Sequence, residues 1–219
     1  MRSVIRMQTR PFRGWNDLAP LQQICSERLR ASPGHAEAHP GDIAWWAGWP
    51  PRPTEVLSQM FLLWEEDREV VGFAAYTPEE RDLTLIVKPP HEDGRDAIRF
   101  EDEAAAWATR AGVPPRWVEF DDESAAVERW RRRGYRPTDT GALNLVLMLE
   151  PFLSEAADER VRPVGEDDVV DRARVMRHAF EDAKPAAKYA ADYEAFRASP
   201  AYPDGWDLLL RDEEERPAT

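Results

Sequence analysis

The sequence predicts a mixed α/β (α+β) fold: one complete module of strands and helices, followed by a partial second copy. Three observations predict it. Apolar residues recur at helical spacing in some segments and in short continuous runs in others, so both element types are present. Strands and helices interleave without the regular alternation of a simple barrel. After a polar linker at Ser154–Asp158, the order of residues at the N-terminus begins again.

Met7–Phe12 reads as a short strand. It is followed by a helix over about Trp15–Arg30, whose Leu18, Leu21, Ile24, Cys25 and Leu29 fall on one face. Ser32-Pro33-Gly34 stops that helix. A second, shorter helix over Asp42–Trp49 ends at Pro50-Pro51-Arg52-Pro53. Met60–Trp64 and Val70–Tyr76 are apolar runs joined by Glu65-Glu66-Asp67-Arg68-Glu69, the pattern of a hairpin. Leu83–Val87 is a further strand closed by Pro89-Pro90. Arg95–Ala111 is helical with Gly112 as its stop, and Trp117–Phe120 is a strand. Ser124–Arg133 is a helix with Ser124 at the capping position and Gly134 at its end. Leu143–Leu149 is the last strand of the module.

In the second copy Arg162-Pro163 answers Arg10-Pro11, and Asp168-Val169 answers Asp17-Leu18. Val175, Met176 and Phe180 then stand where Ile24, Cys25 and Leu29 stand. Leu208-Leu209-Leu210 answers Leu62-Leu63-Trp64. The expected division is therefore residues 1–153 for the complete module and 159–219 for the N-terminal part of another, with two strands and two helices. Half a sheet buries too little apolar surface to stand alone.

Composition excludes several function classes. The net charge of −13 is the opposite of the basic footprint that displaces counterions from nucleic-acid phosphates, and it disfavours an anionic membrane surface. Neither nucleic acid nor membrane is an expected partner; a cationic small molecule suits the charge. A single cysteine, Cys25, rules out an internal disulfide framework. No basic-then-apolar leader opens the sequence, so the expected location is cytoplasmic. No metal site is expected: His35-Ala36-Glu37-Ala38-His39 lacks the order of a zinc-binding helix and lies between Pro33-Gly34 and Pro40-Gly41. Cys25, on the apolar face of the first helix, reads as a core residue.

The element order, together with Ala125-Ala126-Val127-Glu128-Arg129-Trp130-Arg131-Arg132-Arg133-Gly134-Tyr135, a helix ending in Gly followed by an aromatic, resembles the GNAT superfamily of acyl-CoA-dependent N-acyltransferases. The Arg-Pro start, Asp42-Ile43-Ala44-Trp45-Trp46 and the repeat resemble its tandem two-module members. The resemblance implies a mixed, mostly antiparallel sheet flanked by helices, acetyl-CoA as co-substrate and a primary amine as acceptor. It implies a strand splayed from its neighbour, so that Leu85, Ile86 and Val87 offer backbone groups to the pantetheine arm.

It also places the diphosphate at a loop of pattern Q/R-x-x-G-x-G/A before a helix, where unpaired amides and the helix dipole favour an anion. Here that stretch is His91-Glu92-Asp93-Gly94-Arg95-Asp96-Ala97, so the implied cofactor residues are Gly94, Arg95 and Ala97. Asp96 stands in place of the second small residue, and an aspartate there is suited to capping its own helix. Trp130 stands where many members carry a tyrosine as general acid, and an indole N–H is no practical acid. Glu79, Glu80 and Asp82 are the candidates for a general base. Trp45, Trp46 and Trp49 are placed at the acceptor pocket, where they would enclose an amine through cation–π contact. Arg129, Arg131, Arg132 and Arg133 suit either a helix C-terminus or the 3′-phosphate of coenzyme A. The expected function is N-acetyl transfer to an amine; the alternative is a non-catalytic ligand-binding or dimerisation module, which would make a homodimer the partner.

Overall fold

A computed structural model describes residues 7–32, 37–120, 124–138, 159–202, 205, 207–214 and 216–217. The chain divides into two compact units, residues 1–43 with 53–146, and residues 44–52 with 147–219.

The first unit is built on a five-stranded sheet of order β1 (Met7–Pro11), β2 (Phe61–Glu66), β3 (Glu69–Thr77), β4 (Asp82–Val87) and β5 (Trp117–Glu119). The first three junctions are antiparallel and the β4–β5 junction is parallel, so the sheet is mixed and mostly antiparallel. A 3₁₀ turn at Trp15–Asp17 leads into α1 (Leu18–Ala31), which buries Leu21, Ile24 and Cys25 completely. Leu21 and Ile24 each contribute about 1.5–3 kcal/mol by leaving water. Burial also pushes the Cys25 thiol up to about 12, so Cys25 is a core residue and not a nucleophile.

On the other face of the sheet lie α4 (Gly94–Arg110) and α5 (Ala125–Arg132). Their Phe100, Ala104, Ala108, Ala126 and Trp130 form one core with Trp64, Val71, Ala74, Tyr76, Leu83, Leu85 and Val87. Ser124 caps α5 as its sequence position suggests, accepting the Ala126 amide at 3.2 Å. Gly134 closes the helix at φ 93°, a conformation that favours glycine.

Two differences from the sequence reading concern short elements. A third helix, α3 (Thr54–Met60), follows α2 (Pro40–Gly48), directly ahead of β2. It buries only Leu57 and Met60, one i,i+3 pair, too few apolar residues to register as a period. β5 is one residue shorter than expected. The strand expected at Leu143–Leu149, and His35, lie outside the described residues.

The second unit holds β6 (Val161–Pro163), α6 (Val169–Ala179), α7 (Ala186–Arg197) and β7 (Leu208–Leu210), with β6 and β7 antiparallel. Arg162 and Pro163 lie opposite Leu209 and Leu208, as Arg10 and Pro11 lie opposite Leu63 and Leu62 in the first unit. The backbone continues the match: Val164 N–H donates to Asp207 C=O, as Phe12 N–H does to Phe61 C=O. Its core is aromatic. Trp49 lies against Tyr189 and Phe196, with Tyr189, Tyr193 and Phe196 all buried.

Candidate active site

β4 alternates its side chains across the sheet, which gives the strand two chemically different faces. Leu83, Leu85 and Val87 face α4 and α5 in the apolar core, while Asp82, Thr84 and Ile86 lie on the opposite face. The parallel pairing with β5 lasts three residues, Asp82↔Trp117, Leu83↔Val118 and Thr84↔Glu119. Beyond Thr84, β4 continues as Leu85, Ile86 and Val87, paired on the β3 side with Ala74, Phe73 and Gly72. Among the described residues no strand lies on the other side of these three. The parallel pairing ends at Thr84 and Glu119, and the cleft lined by Leu85, Val87 and Phe120 beyond it is the wedge of the site.

A cavity of about 50 Å³ occupies the wedge on the helix face, lined among others by Leu85, Val87, Ala97, Phe100, Phe120 and Ala126. Charged side chains surround its apolar floor. Glu101 of α4 is 1% exposed and receives Arg129 Nε at 2.7 Å and Arg133 Nη1 at 2.9 Å, which ties α4 to α5. Burial raises the Glu101 carboxyl above its usual range, and the two guanidiniums oppose that shift. Arg28 of α1 is held by Glu37 at 2.7 Å and also by Glu92. Both guanidiniums of the lining, Arg28 and Arg129, are thus already matched to carboxylates of the protein.

The opposite face of the wedge tip is acidic. Asp82 Oδ1 is buried without a hydrogen-bond partner. Burial, followed by the charges of Glu119 and Glu80, pushes the Asp82 carboxyl up to about 6. Glu119 sits across the strand pair from Thr84, whose hydroxyl it accepts. It too is raised: desolvation leads, the Thr84 bond opposes, and the charges of Asp42 and Glu80 add. A carboxyl poised near neutrality, beside further carboxylates, is suited to accept a proton from a cationic amine.

The cofactor residues of the sequence reading divide between these places. Leu85, Val87 and Ala97 line the wedge, Ile86 lies on the other face of β4, and Gly94 and Arg95 are exposed at the start of α4. Gly94 adopts φ 72°, with open space where a Cβ would stand. Asp96 does not cap its helix. The N-cap residue is Asp93, whose side chain makes no capping bond, and Asp96 Oδ2 instead lies 3.3 Å from His91 Nδ1. A histidine five residues back offers the carboxylate a partner that sequence spacing does not reveal.

Of the base candidates, Glu79 and Glu80 are exposed in the β3–β4 turn and Asp82 opens β4. Thr84, Glu119 and Glu101 were not singled out by the sequence, because only the parallel register of β4 on β5 and the packing of α4 on α5 bring them to the wedge. Trp130 is 3% exposed and packs edge-on against Tyr135, whose hydroxyl donates to Pro115 C=O at 2.8 Å; both serve packing. Arg131 and Arg132 lie 3.7 Å from Glu128.

Trp45, Trp46 and Trp49 belong to the second unit. Trp45 stacks on Trp49 at 5.1 Å, and the cation over the Trp49 ring is Lys184, its Nζ 5.7 Å from the centroid. Arg52 donates to the carbonyls of Trp46 and Trp49 at 3.2 and 3.0 Å. In the sequence considered for a metal, Glu37 is engaged by Arg28, and His39 Nδ1 accepts the Gly41 amide at 2.9 Å.

No family model matches the chain, and no curated protein does. Solved structures similar to it include a GCN5-related N-acetyltransferase from Sphaerobacter thermophilus (13% identity, TM-score 0.45, covering 96% of this chain and 69% of that one). Others are a "predicted acetyltransferase with acetyl-CoA" from Clostridium acetobutylicum (14%, 0.43, 66% and 97%) and an aminoglycoside N-acetyltransferase in complex with CoA (17%, 0.39, 65% and 96%). No helix among the described residues is long and apolar enough to cross a membrane.

Proposed function

We propose that residues 1–153 form an acyl-CoA-dependent N-acetyltransferase module acting on a primary amine, and that residues 159–219 are a partial second copy of it. One observation supports the reading: the pairing of β4 with β5 ends at Thr84 and Glu119, and Leu85 and Val87 beyond it line a cavity with residues of α4 and α5. The fit to acetyl-CoA is good for its arm, which Leu85, Val87, Ala97 and Phe100 would hold against an apolar wall. It is poorer for its diphosphate, since Glu92, Asp93 and Asp96 crowd the start of α4. Bound there, acetyl-CoA supplies an activated acyl carbonyl.

The protein's own share is then to hold an amine on the acidic face and to remove its proton. Asp82, with Glu119 and Glu80 next to it, takes the proton, directly or through water, so that a neutral amine is presented at the wedge tip. Because Asp82 must be ionised to act, kcat/KM rises with pH through about 6 and then levels. Asp82→Asn should remove that rise.

The alternative, a non-catalytic ligand-binding or dimerisation module, is favoured by the prior pairing of Arg28 and Arg129 with Glu37, Glu92 and Glu101. Titration calorimetry with acetyl-CoA, followed by thiol release against a panel of amines, separates the two. Absence of heat at submillimolar ligand sinks the acyltransferase reading, and heat without turnover favours the alternative. Asp96→Gly removes one like charge from the loop and should tighten binding about fivefold, the equivalent of about 1 kcal/mol.

A further inference from the structure

Arg28 of α1 lines the cavity with a guanidinium whose two edges are used differently. Its Nε and Nη2 both donate to the Glu37 carboxylate, at 3.2 and 2.7 Å, a forked pair along one edge. Its Nη1 meets Glu92 on the other. The two carboxylates also differ in their access to water. The Glu37 side chain is 5% exposed and that of Glu92 35%, with Arg28 at 12%.

One carboxylate is enough to neutralise a guanidinium, so the second is not needed for charge balance. Glu37 is the fixed partner, because breaking a forked pair away from water leaves two charges uncompensated. Glu92 is the exchangeable one. A carboxylate one-third exposed recovers hydration when it turns outward, and ion pairs in contact with water are worth little. It also sits in the short stretch between the Pro89–His91 turn and α4. That stretch ends at Asp93, which leaves the first amides of α4 without a side-chain cap. With Glu92 turned away, a cationic fork and helix amides are available together, and both groups favour phosphate.

We propose that Glu92 is a built-in competitor at an anion site. Arg28 binds a phosphate of the ligand through Nη1, Glu92 holds that place until the ligand displaces it, and Glu37 keeps the guanidinium aimed. The ligand class is a diphosphate-bearing molecule, and in this the proposal rests on the acetyl-CoA reading of the cavity. Apparent affinity falls by the fraction of molecules in which Glu92 has let go; a contact held in about 95% of them weakens binding about twentyfold.

The test uses the full chain, with inorganic diphosphate as the first probe and coenzyme A as the second, in calorimetry at fixed ionic strength. Glu92→Gln should tighten diphosphate at least twentyfold. Asp93→Asn removes an equal charge from the next residue and should tighten it fivefold at most. Arg28→Gln still offers Glu37 an amide donor, and combined with Glu92→Gln it should cancel the gain. A contact that only ties α1 to the loop predicts a lower urea midpoint for Glu92→Gln and a diphosphate affinity no better than that of Asp93→Asn. That result overturns the proposal whether or not Arg28→Gln folds, and so does a gain that survives Arg28→Gln. Coenzyme A tells this failure from that of the acetyltransferase reading. If Glu92→Gln tightens diphosphate but coenzyme A binds no better than diphosphate, the Arg28 site stands and the acetyl-CoA reading falls. If coenzyme A binds the unaltered chain and Glu92→Gln changes neither ligand, that reading stands and the competitor role of Glu92 falls.

Discussion

The N-terminal strand pair, β1 with β2, and the C-terminal pair, β6 with β7, share a register and differ in what surrounds them. In both an Arg-Pro strand lies opposite a run of leucines, and an aspartate stands at the entry to the following helix. The first pair is continued by β3 and covered by α4, so that Trp64 is lost to solvent. The second pair is a sheet of its own, and Leu210 remains 41% exposed at the matching place. Local sequence decides the register of a strand pair; burial, and hence most of the stabilisation, is decided by elements distant in the chain.

The largest expected effect follows from that contrast. Trp64→Ala removes a fully buried ring that packs on Phe100 and should cost about 3–5 kcal/mol in urea unfolding. Leu210→Ala, at the corresponding place in the second unit, should cost less than about 1 kcal/mol, because much of the side chain is already in water. Equal costs would mean that Leu210 is covered in solution and would break the comparison.

The parts that were legible in the sequence are those set by local pattern. The α1 face of Leu18, Leu21, Ile24 and Cys25, the Ser124 cap and the Glu65–Glu69 hairpin all stand close to where the residues put them. Less legible was whatever depends on two elements meeting. Glu101 looks like one more surface glutamate on a charged helix, and only Arg129 and Arg133 of α5 make it a buried ion. The position of Asp96 suggests a cap because capping is local, yet the carboxylate lies 3.3 Å from His91 Nδ1. The Lys184 ammonium over the Trp49 ring is likewise a contact between residues far apart in the chain.

The helix-entry aspartates sharpen the comparison. In the first unit Arg10 of β1 binds Asp17 at 2.7 Å and Glu65 at 2.6 Å. In the second, Arg211, at the position matching Glu65, holds Asp168 and lies 3.2 Å from Asp171. The aspartate persists; Arg162, which matches Arg10, lies 3.7 Å from Asp168, and Arg211 adds a nearer cation from the other strand. Burial alone would raise Asp17, but Arg10 and the Arg13 amide together hold it below the usual carboxylate range. Asp168 is held low first by the Gly165 amide and then by Arg211. Both carboxyls are lowered on folding, so the stability they confer is complete above the ordinary aspartate range and is lost as pH falls below it. Arg10→Ala leaves Asp17 to burial and should cost about 3 kcal/mol at neutral pH. It should also move the acid transition, followed by circular dichroism, to higher pH. Arg211→Ala should move it less, because the Gly165 amide still holds Asp168.

The smallest effect concerns the turns that follow β2 and β7, which use different devices to reverse the chain. After β2 the chain turns through Asp67 and Arg68 at φ 50° and 74°, so the turn is specified by backbone conformation. After β7 the Asp212 carboxylate accepts the amides of Glu214 and Arg216 at 3.0 and 2.8 Å, so that turn is specified by one side chain. A non-glycine residue at positive φ costs roughly 1–2 kcal/mol, part of which glycine returns as unfolded-state entropy. Arg68→Gly should therefore stabilise the first unit by about 0.5–1 kcal/mol, read as a higher urea midpoint with an unchanged slope. Asp212→Ala should have the opposite sign, loosening the second turn and speeding amide exchange at Arg216. A stabilising Asp212→Ala would show that the chain after β7 is held by something other than this carboxylate.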